Sequence, residues 1–150
     1  MILKINELQE IRPQQEAEIF VGKDGLRAAY ERLFHGATKK DEDLFFYIHE
    51  EDYGKEGDLF YFSVQDLLKK VKMRGICNEK SHNSKFIKKA KFIDTKFSSF
   101  PIPGNIEVCR DDLLIVSWER PIIGVLVHSK SIVNNFRRYF ESVWRIAKKM

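Results

Sequence analysis

Few of the side chains able to do chemistry fall close enough in sequence to act together. The four histidines are isolated: His35 follows a helix pattern, His49 ends a strand pattern, His82 lies in a basic loop and His128 follows the last apolar run. Cys77 and His82 are spaced like one arm of a zinc site, but no second pair completes it. There is no Gly-x-Ser-x-Gly elbow, Walker loop, His-Glu-x-x-His pair or Cys-x-x-Cys. The acid-rich stretch Glu50 to Asp58 does not follow the alternate ligand positions of an EF-hand, and it reads as a solvated loop. His128-Ser129-Lys130 spells His-x-Lys, yet no Asp follows at the spacing phosphoryl chemistry would need, so it reads as a turn into a helix. His49 stands out because strand ends in an α/β sheet open onto the crevice where ligands bind; the alternative is a hydrogen-bonded structural histidine.

The strongest basic feature is Ser81 to Lys96, where Lys85, Lys88, Lys89, Lys91 and Lys96 surround Phe86, Ile87, Ala90, Phe92 and Ile93. Lysines among aromatics could grip phosphates. The commoner meaning of such a run is an amphipathic helix with its lysines on the wet face, and the phenylalanines are needed for a core. The formal charge of +4 conceals an asymmetry: eight Lys and Arg face fifteen Asp and Glu up to Asp66, and eighteen face seven from Leu67 onward. Such a split steers partners or is neutralised inside one folded molecule.

The elements that must position these groups are an alternation of strands and helices. Ile2, Ile5, Leu8 and Ile11 suggest a short amphipathic helix in an arm over residues 1–15, stopped before Pro13. Ala17 to Val21 reads as a strand, Gly22-Lys23-Asp24 as a turn, and Asp24 as the cap of a helix through Phe34. Leu44 to His49 is apolar throughout, as a central strand would be. A helix opening near Ser63 carries Val64, Leu67, Leu68 and Val71 on one face, with Gly75 as its left-handed stop, and Ile76-Cys77 begins a short strand. After the stiff turn Phe100 to Gly104 come three β-branched runs, Asn105 to Cys109, Leu113 to Trp118 and Ile122 to Val127, read as the centre of the sheet. Ser129 or Ser131 then caps a long helix whose inward stripe is Ile132, Phe136, Tyr139, Phe140, Val143, Trp144 and Ala147. The order predicts an α/β fold: a mixed sheet, parallel strands first and antiparallel hairpins at the carboxyl end, flanked by helices.

One hundred and fifty residues with 43% apolar content and twelve Phe suit one domain with a real core. No apolar run approaches the roughly 20 residues of a membrane span, and no signal-peptide progression opens the chain, so a cytoplasmic protein with reduced Cys77 and Cys109 is expected. No cofactor motif is present, and none is expected.

The stretch Ile19 to Leu26 with its following helix, the runs Asn105 to Val108 and Leu113 to Ser117, and the ending Pro121 to Lys130 with Phe136-Arg137-Arg138-Tyr139-Phe140-Glu141-Ser142-Val143-Trp144 together resemble the effector domain of TrmB-type transcriptional regulators. The similarity covers residues 16–150, and the Phe-Arg-x-Tyr-Phe-Glu-x-x-Trp helix is its most specific piece. It implies a phospholipase-D-like fold and a sensor of small molecules, often sugars. Such a sensor forms a homodimer or pairs with a full-length regulator, and it controls a winged-helix DNA reader. Fifteen residues before Glu16 are too few for that reader, which needs about 60 to 70, so a free-standing effector without sequence-specific DNA binding of its own is expected.

Active phospholipase-D enzymes use His-x-Lys, four residues, then Asp, because the histidine attacks phosphorus while lysine holds its oxygens. In this sequence the matching positions are Asn105, Glu107 and Asp112, with Glu119-Arg120 where Gly-Ser would follow. Nucleophile and phosphate cation are both replaced, which implies a non-enzyme. The expected effector pocket lies there, at His49, Asn105, Glu107 and Trp118, whose donors and acceptors suit hydroxyls. The alternatives are a nucleic-acid-binding protein using Lys85, Lys88, Lys89 and Lys91 with the basic tail, and a residual phosphodiesterase using Asp112 or His128.

Overall fold

The computed structural model describes residues 15–149, and the expected amino-terminal helix lies outside them. The chain runs β1 (Gln15–Val21), α1 (Gly22–Leu33), β2 (Glu42–Tyr47), α2 (Gly54–Ser63), α3 (Gln65–Leu68), β3 (Lys72–Asn78), a 3-10 turn (Glu79–Asn83), α4 (Lys85–Lys89), β4 (Ile93–Ser98), β5 (Ile106–Cys109), β6 (Asp112–Ser117), β7 (Ile123–Ser129) and α5 (Lys130–Ile146). All seven strands form one sheet in the order β1-β7-β6-β5-β2-β3-β4. β2, β3 and β4 are parallel, while β2 with β5, β5 with β6, β6 with β7 and β7 with β1 are antiparallel. The expected mixed sheet is therefore present, with β1 as the exception: it joins the antiparallel half at the far edge.

Alternation along the strands feeds two cores. One face meets α1 to α4 through Leu26, Tyr30, Phe45, Tyr61, Phe86 and Leu114. The other meets α5 through Leu44, Phe46, Ile106, Val133, Phe140 and Val143. Central β5 and β2 are buried on both sides because each face is roofed by helix. Among the described residues no helix is long and apolar enough to cross a membrane.

Several local expectations change. α1 starts at Gly22, straight out of β1, because Gly22 adopts φ +79° and donates its N–H to Ile122 O at 2.8 Å; Asp24 lies in the first turn instead of capping. Gly75 is a strand residue inside β3, where its bare backbone faces Ile93; the helix expected from Ser63 shrinks to the single turn α3, and α2, which ends at Ser63, precedes it. The basic segment breaks into a 3-10 turn, a five-residue helix and a strand, since Ala90 leaves the helical region and Ile93 pairs with Met73. Ser129 caps α5 by accepting from Ile132 N at 3.3 Å. Its inward stripe uses Val133, leaving Ile132 and Tyr139 exposed.

α1 lies close against the sheet at Gly124, where a Cβ would come within 2.9 Å of Leu26 Cδ1 and 3.4 Å of Leu114 Cδ1. Gly124→Val should destabilise the fold by about 1 to 3 kcal/mol through overpacking, measured as a lower urea midpoint; an unchanged midpoint would mean that α1 can lift away from β7 at no cost.

Candidate functional site

The expected site begins at the β2–β5 junction. Asn105 is buried just before β5, and both ends of it are committed: its side-chain carbonyl accepts from Ile48 N at 2.9 Å, and its backbone carbonyl accepts from Val116 N at 2.9 Å. Glu107 follows on β5 and points into the core under α1 and α2, only 1% exposed. It stands opposite Phe45, one pleat from Asp43, which stands opposite Cys109. Asp43 is also fully buried; no fixed donor reaches the four carboxyl oxygens, but Glu107 lies within hydrogen-bonding reach of Asp43 and of the Tyr30 hydroxyl. Tyr30 and Tyr61, joined by a 3.0 Å hydroxyl contact, line the same side.

Burial favours the neutral form of both acids. It pushes Glu107 up to about 7, and it raises Asp43 well above the usual carboxylate range, with the charge of Glu107 adding to the effect. A carboxyl pair held this way resists negative charge and presents nothing to solvent.

His49 lies just beyond the carboxyl end of β2. Its N–H donates to Asn78 Oδ1 at 3.0 Å, and Asn78 Nδ2 returns a bond to His49 O at 3.1 Å. Its ring lies 3.9 Å from Asp58 Oδ1, and Gly54 packs so closely that a Cβ would fall 2.4 Å from Cε1. Asp58 itself accepts from Tyr47 OH at 2.7 Å, Ser84 Oγ at 2.6 Å and Lys85 N at 3.0 Å. The segment Glu50 to Asp58 is thus not a wholly solvated loop: α2 begins within it, and Asp58 is a buried anchor tying α2 to the start of α4. Periodicity could not show this, because the signal is an isolated aspartate whose partners lie 11 and 26 residues away.

Trp118 packs edge to face on Phe60 and Tyr61, with ring centres 5.5 and 6.0 Å apart. Of the four expected pocket residues, the structure brings Asn105 and His49 to the loop after β2 and places Glu107 and Trp118 in the core. The best-formed cavities of the described residues are lined by other side chains.

Asp112 and His128, far apart in sequence, meet across the β6–β7 pair with Nδ1 2.6 Å from Oδ1. His128 is half exposed beside a cavity of about 460 Å³ that Lys130 and Ser131 also line. A carboxylate on one ring nitrogen leaves Nε2 outward, the geometry of an oriented general base. This pair belongs to the opposite end of the β5–β6 hairpin from Asn105.

The lysines of the basic region are exposed at Lys85, Lys88, Lys89 and Lys91. Lys96 is withdrawn from that surface: its ammonium sits 4.4 Å over the Trp144 ring and donates to Trp144 O at 2.9 Å. Lys148 pairs its backbone with Phe97 of β4, so the basic tail runs along the same sheet edge as the basic segment.

This seven-stranded mixed sheet between two helical layers is the phospholipase-D fold. TrmBL2, described as an archaeal chromatin protein with a novel mode of DNA binding, matches with a TM-score of 0.55 at 13% identity. The match covers 99% of this chain and 60% of TrmBL2, so the chain spans little more than half of that protein. NucT from Helicobacter pylori matches at 0.60 and 12% identity, over 91% of this chain and 99% of its own. Nuc from Salmonella typhimurium, a phospholipase D family member, matches at 0.59 and 9% identity, over 91% and 98%. At these identities the shared property is the fold, which is the one that the TrmB-type resemblance implies. No family model and no curated protein sequence matches the chain.

The buried acids give the fold a pH dependence. Groups whose folded pKa is raised contribute stability fully below the unfolded value, about 4, and lose it as pH rises through the folded one. Glu107→Gln, which stays neutral, should gain about 2 kcal/mol on the parent between pH 5 and pH 8.5, read from urea midpoints. Parallel pH profiles for the two proteins would show that Glu107 is not held neutral.

Proposed function

We propose that the chain is a regulatory domain of the TrmB type, built on a phospholipase-D frame and catalytically silent, which senses a small molecule and dimerises. The observation that carries this reading is the state of Glu107. Where the enzymes of the fold need a cation on the phosphate, this chain has a carboxyl group buried against a second carboxyl. Asn105 supports it, because its carboxamide stands at the nucleophile position and is spent on Ile48 N–H. The effector implied by the resemblance is sugar-like, and the natural place for it is the loop at His49 and Asn105.

The test is a diesterase assay on bis(p-nitrophenyl) phosphate, run beside a solution mass. No turnover and a mass twice 17.7 kDa are expected. Turnover abolished by His128→Ala or Asp112→Asn would overturn the silent reading and make the His128 pair an active centre. Sugars that raise the melting temperature by mass action would identify the effector class.

A second reading is favoured by the meeting of the two basic segments along β4. It takes the chain as a nucleic-acid binder, as TrmBL2 is described to be. This reading requires DNA affinity to fall by orders of magnitude between about 50 and 200 mM salt when six or more phosphates are contacted; a flat response in a filter-binding titration excludes it.

A further inference from the structure

We propose that the cavity enclosed by the 3-10 turn, α4 and β4 binds a small aromatic carboxylate, a flat apolar body bearing one negative charge. The site has no residue in common with the Asp112–His128 pair and meets the loop at His49 only through Ser81 and Asn78, and the assignment rests on its own walls whatever the chain regulates.

The cavity measures about 580 Å³, within the range of roughly 300 to 1,000 Å³ usual for small-molecule sites. Ile87 from α4 with Ile93 and Phe97 from β4 give it apolar walls. β4 ends the strand order at this side of the sheet, and the hollow lies between it and α4. The His82 ring stacks on Phe97 with centres 3.9 Å apart and planes 17° apart, a double ring in the cavity wall against which another flat ring can lie.

The polar groups select among ligands. Ser81 Oγ is already donated to Asn78 Oδ1 at 2.5 Å, and Thr95 Oγ1 to Ile93 O at 3.3 Å. A sugar, which needs many free donors and acceptors, finds few here. Two groups remain for a ligand, the ammoniums of Lys88 and Lys91, both on exposed residues that line the cavity. Among the described residues neither lysine has an ion-pair partner, and no carboxylate lines the cavity. An apolar cavity with cations and no anion favours an anionic ligand whose remainder is hydrophobic. Two lysines of the basic segment, Lys88 and Lys91, therefore have a use beyond a wet face: with Ile87, Ile93 and Phe97 they supply the charge and the walls of one site.

Calorimetric titration of the whole chain with 1-naphthoate tests this. Saturable binding is expected, about tenfold weaker for neutral 1-naphthamide and about tenfold weaker for the Lys88→Glu/Lys91→Glu variant. Lys85→Glu/Lys89→Glu, which reverses two exposed charges outside the cavity lining, should stay within about twofold. No saturable binding overturns the assignment, as does an equal loss in both variants, which would mark nonspecific charge attraction. Tighter binding of AMP or maltose than of naphthoate also overturns it, in favour of a nucleotide or a sugar.

Discussion

The rest of the molecule depends on the backbone pairing of β2 with β5. It is the one ladder where the parallel half of the sheet meets the antiparallel half, running from Asp43 opposite Cys109 to Phe46 opposite Ile106. A parallel pair needs a crossover, and the helical crossovers after β2 and β3 roof one face; the hairpins after β5 need only short turns, which frees the chain to send α5 across the other. Because β2 and β5 are covered on both faces, every side chain they carry must be accommodated in the dry interior. Asp43 and Glu107 are placed there by strand alternation alone, one pleat apart on the same face.

That placement decides what the centre of the fold can do. An ionised carboxylate in such surroundings costs several kcal/mol unless paired with a cation, and these two acids face each other and the Tyr30 hydroxyl instead, so neutrality is the cheaper state. A lysine at position 107 would project into the same enclosure between sheet and helices. Catalysis in this fold needs the lysine to reach a phosphate, so an active site at that point would require an opening that Tyr30, Tyr61 and Trp118 fill here.

Much of the architecture was legible in the sequence. The uninterrupted apolar run at Leu44 to Tyr47 is what burial on two faces demands, whereas the run at Leu113 to Val116 leaves Ile115 exposed; the Ser129 cap and the Phe140 to Trp144 stripe mark the last helix. Other features were hidden because their causes are tertiary. Nothing local tells that β1 leaves its neighbours to pair with β7, or that Gly75 serves a strand instead of ending a helix. α2 was obscured by its acids and glycines: Gly54 is there because the His49 ring occupies the space a side chain would need, and Asp58 because Tyr47, Ser84 and Lys85 N surround it. The Asp112–His128 contact was equally invisible, since it is a cross-strand pair fixed only by the register of β6 on β7.

The unequal charge of the two halves of the chain is partly cancelled within the fold. Lys80 meets Glu50, Arg120 and Lys23 both reach Glu56, and Arg74 joins Glu42 while also holding Glu141 and facing the Phe140 and Trp144 rings. Exposed pairs of this kind stabilise little. Near β4, Lys88 and Lys91 line the cavity and Lys148 pairs its backbone with Phe97. Two ammoniums beside an apolar hollow suit the small, partly hydrophobic anion proposed for it, whereas a nucleic acid needs positive charge spread along a track. The same edge can therefore discriminate between two kinds of partner by how far its positive surface extends beyond the hollow.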